Sequence, residues 1–472
     1  METYHLAVDL GATSGRTIIA TYDGEKVTME ELTRFPHPML PIAGHWFWNL
    51  PELYNQILIA LRKVADRGVA LSSIGIDTWG CDVAYFNADG TLAGLPYCYR
   101  DPHTDGAQEK FAMKMSPEEL YGITGIQFMN FNTVFQLDTI RPTADRILFM
   151  PDALAYMLTG NAVCEYTVAS TSQILNPRTG DLDEKILAAI GISRSRFGRM
   201  VRPGEVIGTL TQQVREYTGL GEIPVIAVAG HDTASAVIGV PAESDDYAYL
   251  SCGTWSLLGV ETPHAILTEE ARGYNFTNEG GIDGTTRFLK NICGMWLFEQ
   301  ARKEFRNAPE DVAALAALCL KSDCDSIIDP DDPSFAHPDS MTSAIARFCE
   351  RSGQRVPETP ADYIRVIYRS LADKYRLVLD RLRELSPVEI NRLHVIGGGS
   401  RNGYLMQMVA DVLGMPVVAG PAESTALGNA LVQLRGCGLV SSLAQMRRIS
   451  SRSVNTKTYT PEKYNHIYTD HE

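Results

Sequence analysis

The sequence predicts an α/β protein of two domains built on parallel sheets. At 472 residues the chain is too long for one ordinary core, so two domains of roughly 200 residues, or one large α/β unit, are the options. Short apolar strand segments alternate with helical patterns, which implies parallel construction. A strand, Gly/Thr turn, strand pattern at the start also returns in the second half, a hint of two related halves.

The first strand reads as Leu6-Ala7-Val8, followed by the turn Asp9 to Gly15 and a second strand, Thr17 to Ala20. Apolar runs flanking a Gly/Ser/Thr turn predict a hairpin with a polar tip. Asn49 and Pro51 open a helix whose apolar residues Leu53, Ile57, Leu58, Leu61 and Val64 recur at spacings of three and four, with Gly68 closing it. Ile74 to Gly80 is a buried strand running into a polar corner. Another strand, Pro224 to Ala229, ends in Gly230-His231-Asp232-Thr233-Ala234-Ser235. The polar stretch 240–246 (VPAESDD) marks the expected domain boundary, dividing residues 1–243 from 244–472.

Beyond it, Ala248 to Val260 repeats the hairpin pattern around Gly253-Thr254. From Asp362 to Leu385 the residues Ile364, Ile367, Leu371, Tyr375, Val378 and Leu382 make one apolar stripe of a long helix. A strand, His394 to Ile396, then meets the loop Gly397-Gly398-Gly399. A helix over 405–413 follows, turning Leu405, Met408, Val409 and Val412 inward, then a strand over 416–419 and a helix over 423–434.

Hydrophobic residues are 45% and charged residues 21%, the profile of a soluble globular protein. The 42 basic against 57 acidic residues leave a formal charge of -15, which argues against nucleic acid or an anionic membrane as partner. It does not exclude ATP, because a few backbone N–H groups and a metal ion hold phosphates locally. Nine scattered cysteines without a CxxC spacing read as reduced thiols. No apolar run approaches the about 18 residues of a membrane span, and the N-terminus lacks signal-peptide character, so a cytoplasmic protein is expected.

Three segments are candidates for chemistry. A Gly/Ser/Thr hairpin tip lets backbone N–H groups face phosphate oxygens, and Asp9 beside it could hold hydrated Mg²⁺; a purely structural hairpin is the alternative. The triple glycine lies between a strand and a helix, where flat rings and phosphates approach the backbone, or it is a tight turn. Gly397-x-Gly399 nearly fits a dinucleotide fingerprint, but Asn402 stands where the third glycine is required, and the chain has no Gly-Lys dipeptide for a P-loop. Asp232 is the sharpest candidate, since a carboxylate at the end of an apolar strand can take a hydroxyl proton during phosphoryl transfer. Helix capping is its bland alternative.

In their order, DLGATSGR, GIDTWGCD, GHDTASA, SCGTWS, NEGG, LKNICGMW, GGGSRN and PAESTALGNA resemble the FGGY family of carbohydrate kinases, from Asp9 to about Asn429. The resemblance implies an actin/hexokinase/heat-shock-ATPase-like (ribonuclease H-like) α/β fold of two domains with a central catalytic cleft. The segments YRD (99–101), GIQFMNFNT, MPD (150–152), EYTVAST and TNEGG are most similar to the branch that transfers the γ-phosphate of MgATP to the C1 hydroxyl of L-rhamnulose.

Carried over by position, the resemblance makes Ala12, Thr13, Ser14, Gly15 and Arg16 contacts to ATP phosphates, with Thr254 a second such contact. Gly398 and Gly399 fall at the adenosine, and Glu299 at an ATP contact where glutamine is expected. Gly80, His231, Asp232, Thr233 and Asn291 bind the ketose, with Asp232 as proton acceptor. Cys252 stands where serine is usual. The implied partners are the ketose and MgATP, in a monomer or small homo-oligomer. The alternatives are a kinase for L-fuculose, xylulose or glycerol, a non-enzymatic ATP switch on the same fold, and a dinucleotide-dependent dehydrogenase, which Asn402 disfavours.

Overall fold

The computed structural model describes residues 2–306, 308–336 and 338–462. The chain forms two compact units: Met1–Glu243, Glu261–Phe288 and Ser424–Val454 make unit 1, and Ser244–Val260, Leu289–Glu423 and Asn455–Glu472 make unit 2.

Unit 1 is organised on β1 (Thr3–Leu10), β2 (Ser14–Tyr22), β3 (Val27–Pro36), helix α1 (Leu50–Asp66), β4 (Leu71–Thr78), β5 (Val206–Thr209), β6 (Pro224–Ile226) and helix α2 (Asp232–Ile238). The sheet order is β5-β6-β4-β1-β2-β3, with β1, β4 and β6 parallel and the outer pairs antiparallel. Alternation along β1 sends Leu6, Val8 and Leu10 to one face, where they pack with Leu53, Ile57, Leu61 and Val64 of α1. That helix begins as its sequence predicts: the Asn49 side chain accepts from the Glu52 N–H, Pro51 sits in the first turn, and Gly68 takes a positive φ of 64° beyond its end. Leu58 is half-buried, and Ala60 completes the inward stripe.

Unit 2 repeats the arrangement with β7 (Tyr247–Cys252), β8 (Trp255–Thr262), helix α3 (Pro360–Leu385), β9 (Arg392–Ile396), helix α4 (Gly403–Leu413), β10 (Val417–Ala419) and, after helix α5 (Ser424–Gly436) of unit 1, β11 (Lys457–Tyr459). Here β7 pairs antiparallel with β8 and parallel with β9, as β1 does with β2 and β4. The whole expected stripe of α3 is buried, and Thr359 with Asp362 forms a capping box at its start.

Two expectations shift. The strand expected over 224–229 ends at Ile226, because Ala227 instead bonds the loop at Gly204 and Glu205. In α4 the buried residues are Leu405, Met406, Val409 and Ala410, while Met408 and Val412 are half-buried. The buried face is thus rotated by part of a turn from the purely apolar choice. No helix among the described residues is long and apolar enough to cross a membrane.

Helices α2 and α5 cross in contact at glycines. A Cβ on Gly428 would lie 1.7 Å from the Ser235 carbonyl oxygen, and one on Gly239 would lie 2.5 Å from that of Ser424. Both obstacles are backbone, so neither can rotate away. Gly428→Ala is therefore expected to destabilise unit 1 by about 1–3 kcal/mol or more, as overpacking does. Urea-induced unfolding read by tryptophan fluorescence checks this, and an unchanged midpoint refutes the crossing.

Candidate active site

The parallel sheet of unit 1 delivers acidic residues to one edge. Asp9 lies opposite Arg16 on β2 and opposite Asp77 on β4, and Thr78 bridges to His231. Asp9, Asp77 and Asp232 thus stand at the carboxyl ends of neighbouring chain segments, where open α/β sheets place ligands. Arg16 Nε and Nη2 both donate to Asp9 Oδ2, at 2.9 and 2.7 Å.

Asp77 is fully buried. Burial first, then the charge of Asp9, raises its carboxyl well above the ordinary range. Asn429 Nδ2 of α5 donates to its Oδ2 at 2.5 Å, while Oδ1 has no hydrogen-bond partner. Behind it runs a buried polar chain along the face of β1 and β4 that α5 covers. Gln433 Nε2 donates to Asn429 Oδ1, Ser73 Oγ donates to Gln433 Oε1, and His5 Nδ1 lies 2.7 Å from Ser73 Oγ. Gly75 makes room, since a Cβ there would meet Asn429 Oδ1 at 2.5 Å.

Asp232 opens α2, and His231 is the N-cap residue with no side-chain capping bond. The carboxylate is therefore not a cap; it lies in the first turn, which the helix dipole favours for an anion. Its side chain is 30% exposed, and Thr233 Oγ1 donates to its Oδ1 at 3.2 Å. Desolvation foremost, and Asp9 repulsion, raise its carboxyl above the usual range, against an opposing effect of His231.

The loop carrying it is pinned by Glu165, whose buried carboxylate accepts from the N–H groups of Gly230, Thr167 and Val168 and from Thr167 Oγ1. Asp152 in turn accepts from the Glu165 N–H. On its other side His231 meets Glu279 and Arg287: Nδ1 lies 3.2 Å from Glu279 Oε2 and accepts from Arg287 Nη2 at 3.2 Å.

The hairpin tip of Ala12, Thr13 and Ser14 closes through Gly11 N–H to the Ser14 carbonyl, and His37 Nε2 lies 2.6 Å from the Gly11 oxygen. A Cβ on Gly15 would meet the Phe35 ring at 2.5 Å, so any side chain there would displace Phe35. Gly80 precedes Cys81, which holds a positive φ of 70°, and a Cβ on Gly80 would meet Thr171 Oγ1 at 2.9 Å. Trp79 is only 5% exposed and, like Trp48, donates its indole N–H to the buried Asp82.

In unit 2 the β7–β8 tip is braced by backbone: the N–H groups of Gly294 and Trp296 donate to the Thr254 carbonyl, and that of Met295 to Gly253. The triple glycine adjoins this tip, since a Cβ on Gly399 would strike Cys252 Sγ at 2.3 Å. Gly398 has open space around its missing side chain. Asn402 interrupts the fingerprint for a local reason: its Oδ1 accepts from Leu405 N–H and caps α4. Glu299 is ion-paired with Arg302 at 2.7 Å, and Asn291 is half-buried on the strand Thr286–Cys293.

Sequence reasoning does not single out Asp77, Glu165, Glu279, Arg287 or Asn429 for roles. The available signal is a charged or amide group inside an otherwise apolar run, which folding buries only with partners.

A strand-edge cluster of carboxylates beside a glycine-bearing hairpin, with a second glycine-rich turn in unit 2, defines a phosphotransferase-type α/β protein. The profile of the FGGY family of carbohydrate kinases, N-terminal domain, matches residues 4–239, and that of its C-terminal domain matches residues 248–437. The chain belongs to the FGGY family of carbohydrate kinases. It is 51% identical to a rhamnulokinase of Bacteroides thetaiotaomicron over 98% of this chain and 96% of that protein. It is 37% identical to one of Oceanobacillus iheyensis over 97% and 98%. Among solved structures, the gluconate kinase of Lactobacillus acidophilus matches with a TM-score of 0.81 at 14% identity, covering 98% of this chain and 94% of that one. The glycerol kinase of Plasmodium falciparum matches with 0.79 at 16% identity, covering 98% and 94%. These last two establish the fold alone.

Asp82 supplies a pH test. Burial pushes its carboxyl up to about 6, against four N–H donors that pull it down. A group raised in the folded state adds stability below its unfolded pKa of about 4, and that contribution is lost as pH rises through 6. The unfolding free energy of the native protein relative to Asp82→Asn is expected to fall by roughly 2 kcal/mol between pH 4 and pH 6.5. Denaturation midpoints across that range measure it, and a pH-independent difference contradicts the assignment.

Proposed function

We propose that this protein is a cytoplasmic kinase that transfers the γ-phosphoryl group of MgATP to the C1 hydroxyl of L-rhamnulose, with Asp232 as general base. The reading rests on one observation above the rest: Asp232 is the partly exposed carboxylate of the strand-edge cluster, raised by desolvation and pinned from behind through Glu165. The similarity to proteins named rhamnulokinase supports the choice of ketose.

In the proposed step the sugar oxygen attacks the γ-phosphorus in line. Its O–P bond forms as the bond from the γ-phosphorus to the β,γ-bridging oxygen breaks. The hydroxyl proton passes to an Asp232 carboxylate oxygen, and ADP leaves with the bridging oxygen. The loose transition state leaves positioning and charge as the main tasks of the protein. Gly80, His231, Thr233 and Asn291 orient the ketose. Backbone groups of 12–16, with the Arg16 guanidinium and Thr254, meet the phosphates, while Gly398, Gly399 and Glu299 lie along the adenosine side. Residues 1–243 form the proposed N-terminal domain, with the sugar side and the phosphate hairpin, and residues 244–472 the C-terminal domain, with the adenosine side and Asn291.

Mg²⁺ fits the carboxylates present. No group of three or more His, Cys, Asp or Glu residues able to hold a metal occurs among the described residues. Mg²⁺ prefers one or two carboxylates completed by water and phosphate. Asp9 and the orphaned Asp77 Oδ1 would hold the ion, which supplies neutralisation of phosphate charge.

Turnover with MgATP over a panel of L-rhamnulose, L-fuculose, xylulose and glycerol tests the substrate, and faster turnover of any of the others rejects L-rhamnulose. Asp232→Asn is expected to lose about 10²–10⁴ in kcat with substrate binding retained, and near-normal turnover would place the base elsewhere. The base must be ionised, so kcat/KM should decline as pH falls through a raised carboxyl pKa. Asp9→Asn should move that acidic limb to lower pH, because it removes one of the charges that raise Asp232. An unmoved limb excludes the coupling.

A further inference from the structure

We propose that Arg287 is a positioning residue that fixes His231 in its Nε2–H tautomer, so that the imidazole presents a donor beside Asp232. This rests on the ketose-kinase reading of the site but is argued from a separate set of contacts.

Arg287 is 1% exposed: Nε donates to the Gly280 carbonyl at 3.1 Å, Nη2 donates to His231 Nδ1 at 3.2 Å, and Nη1 lies 3.0 Å from Glu279 Oε2 as an ion pair outside hydrogen-bond alignment. A guanidinium has N–H donors only and does not lose its proton in proteins. The ring nitrogen facing it must therefore offer a lone pair, and the single N–H of a neutral imidazole falls on Nε2. Glu279 Oε2 approaches the same Nδ1 at 3.2 Å and would select the opposite tautomer. That approach is out of hydrogen-bond alignment, whereas the Arg287 contact is aligned.

The remaining groups against the ring are consistent. Thr167 Oγ1 accepts from the His231 backbone N–H, and Glu165 is occupied with the adjoining backbone. Nε2 lies 3.4 Å from Asp232 Oδ1 without an aligned hydrogen bond to it, which leaves its N–H available to a ligand oxygen.

Two consequences follow for the chemistry. Nε2 has no lone pair to offer the sugar hydroxyl, which leaves Asp232 as the proton acceptor. The sugar oxygen that meets His231 must itself accept a hydrogen bond, so Arg287 shapes substrate choice without touching substrate.

The test is nitrogen NMR of the full-length protein labelled with ¹⁵N-histidine, with the His231 signals identified by their loss in His231→Gln. The expected result for the ligand-free native protein is a protonated Nε2 and a lone-pair-bearing Nδ1. A protonated Nδ1, or averaging between tautomers, overturns the proposal without any mutant having to fold. Arg287→Met should release Nδ1–H to Glu279 and lower kcat/KM for the ketose by about 10- to 100-fold, with Arg287→Lys keeping the native tautomer and recovering part of the loss. A native tautomer in Arg287→Met removes Arg287 as its cause. Absence of ketose phosphorylation by the native protein would sink the kinase reading while leaving the tautomer result standing.

Discussion

The parallel register of β1 and β4, which sets Asp9 beside Asp77, is the constraint on which the rest of unit 1 depends. Two carboxylates on adjacent strands repel, and one of them is fully buried, so the fold must compensate from two directions. Arg16 neutralises Asp9 from β2. Asn429 reaches Asp77 from α5, and a directed run of amides and hydroxyls continues from it to His5. Each member donates toward the carboxylate end, so Asp77 Oδ2 is met without a buried charge of opposite sign, while its Oδ1 stays outside the run.

That polar run explains why α5 lies where it does. Alternation along β1 places His5, Ala7 and Asp9 on one face, and β4 adds Ser73, Gly75 and Asp77 on the same side. Small and polar residues there admit a helix bearing Ala426, Asn429 and Gln433 at helical spacing. The opposite face, filled by Leu6, Val8 and Leu10, takes the apolar stripe of α1. One strand thus serves two different helices, and the polar side leads to the reactive edge.

The fold was largely legible because its signals are local. Asn49, Pro51 and Gly68 bracket α1, and the stripe from Ile364 to Leu382 needs only helical periodicity. Asp232 was legible for the same reason, since a carboxylate closing an apolar strand stands out in sequence. What was not legible depends on distant residues meeting. Glu165 reaches Gly230, Arg287 reaches His231, and Asn429 reaches Asp77 across long stretches of chain, and no spacing encodes those pairings. The inward face of α4 is not legible in the pattern because Ala410 contributes little hydrophobicity yet is buried, while Val412 is half-buried.

The glycine crossing of α2 and α5 couples these parts mechanically. With no side chain at Gly239 or Gly428 to hold them apart, the backbone of the helix headed by Asp232 rests directly on that of the helix that steadies Asp77. A proton acceptor and a buried carboxyl group on separate elements are thereby brought close by a contact that any added side chain would push apart.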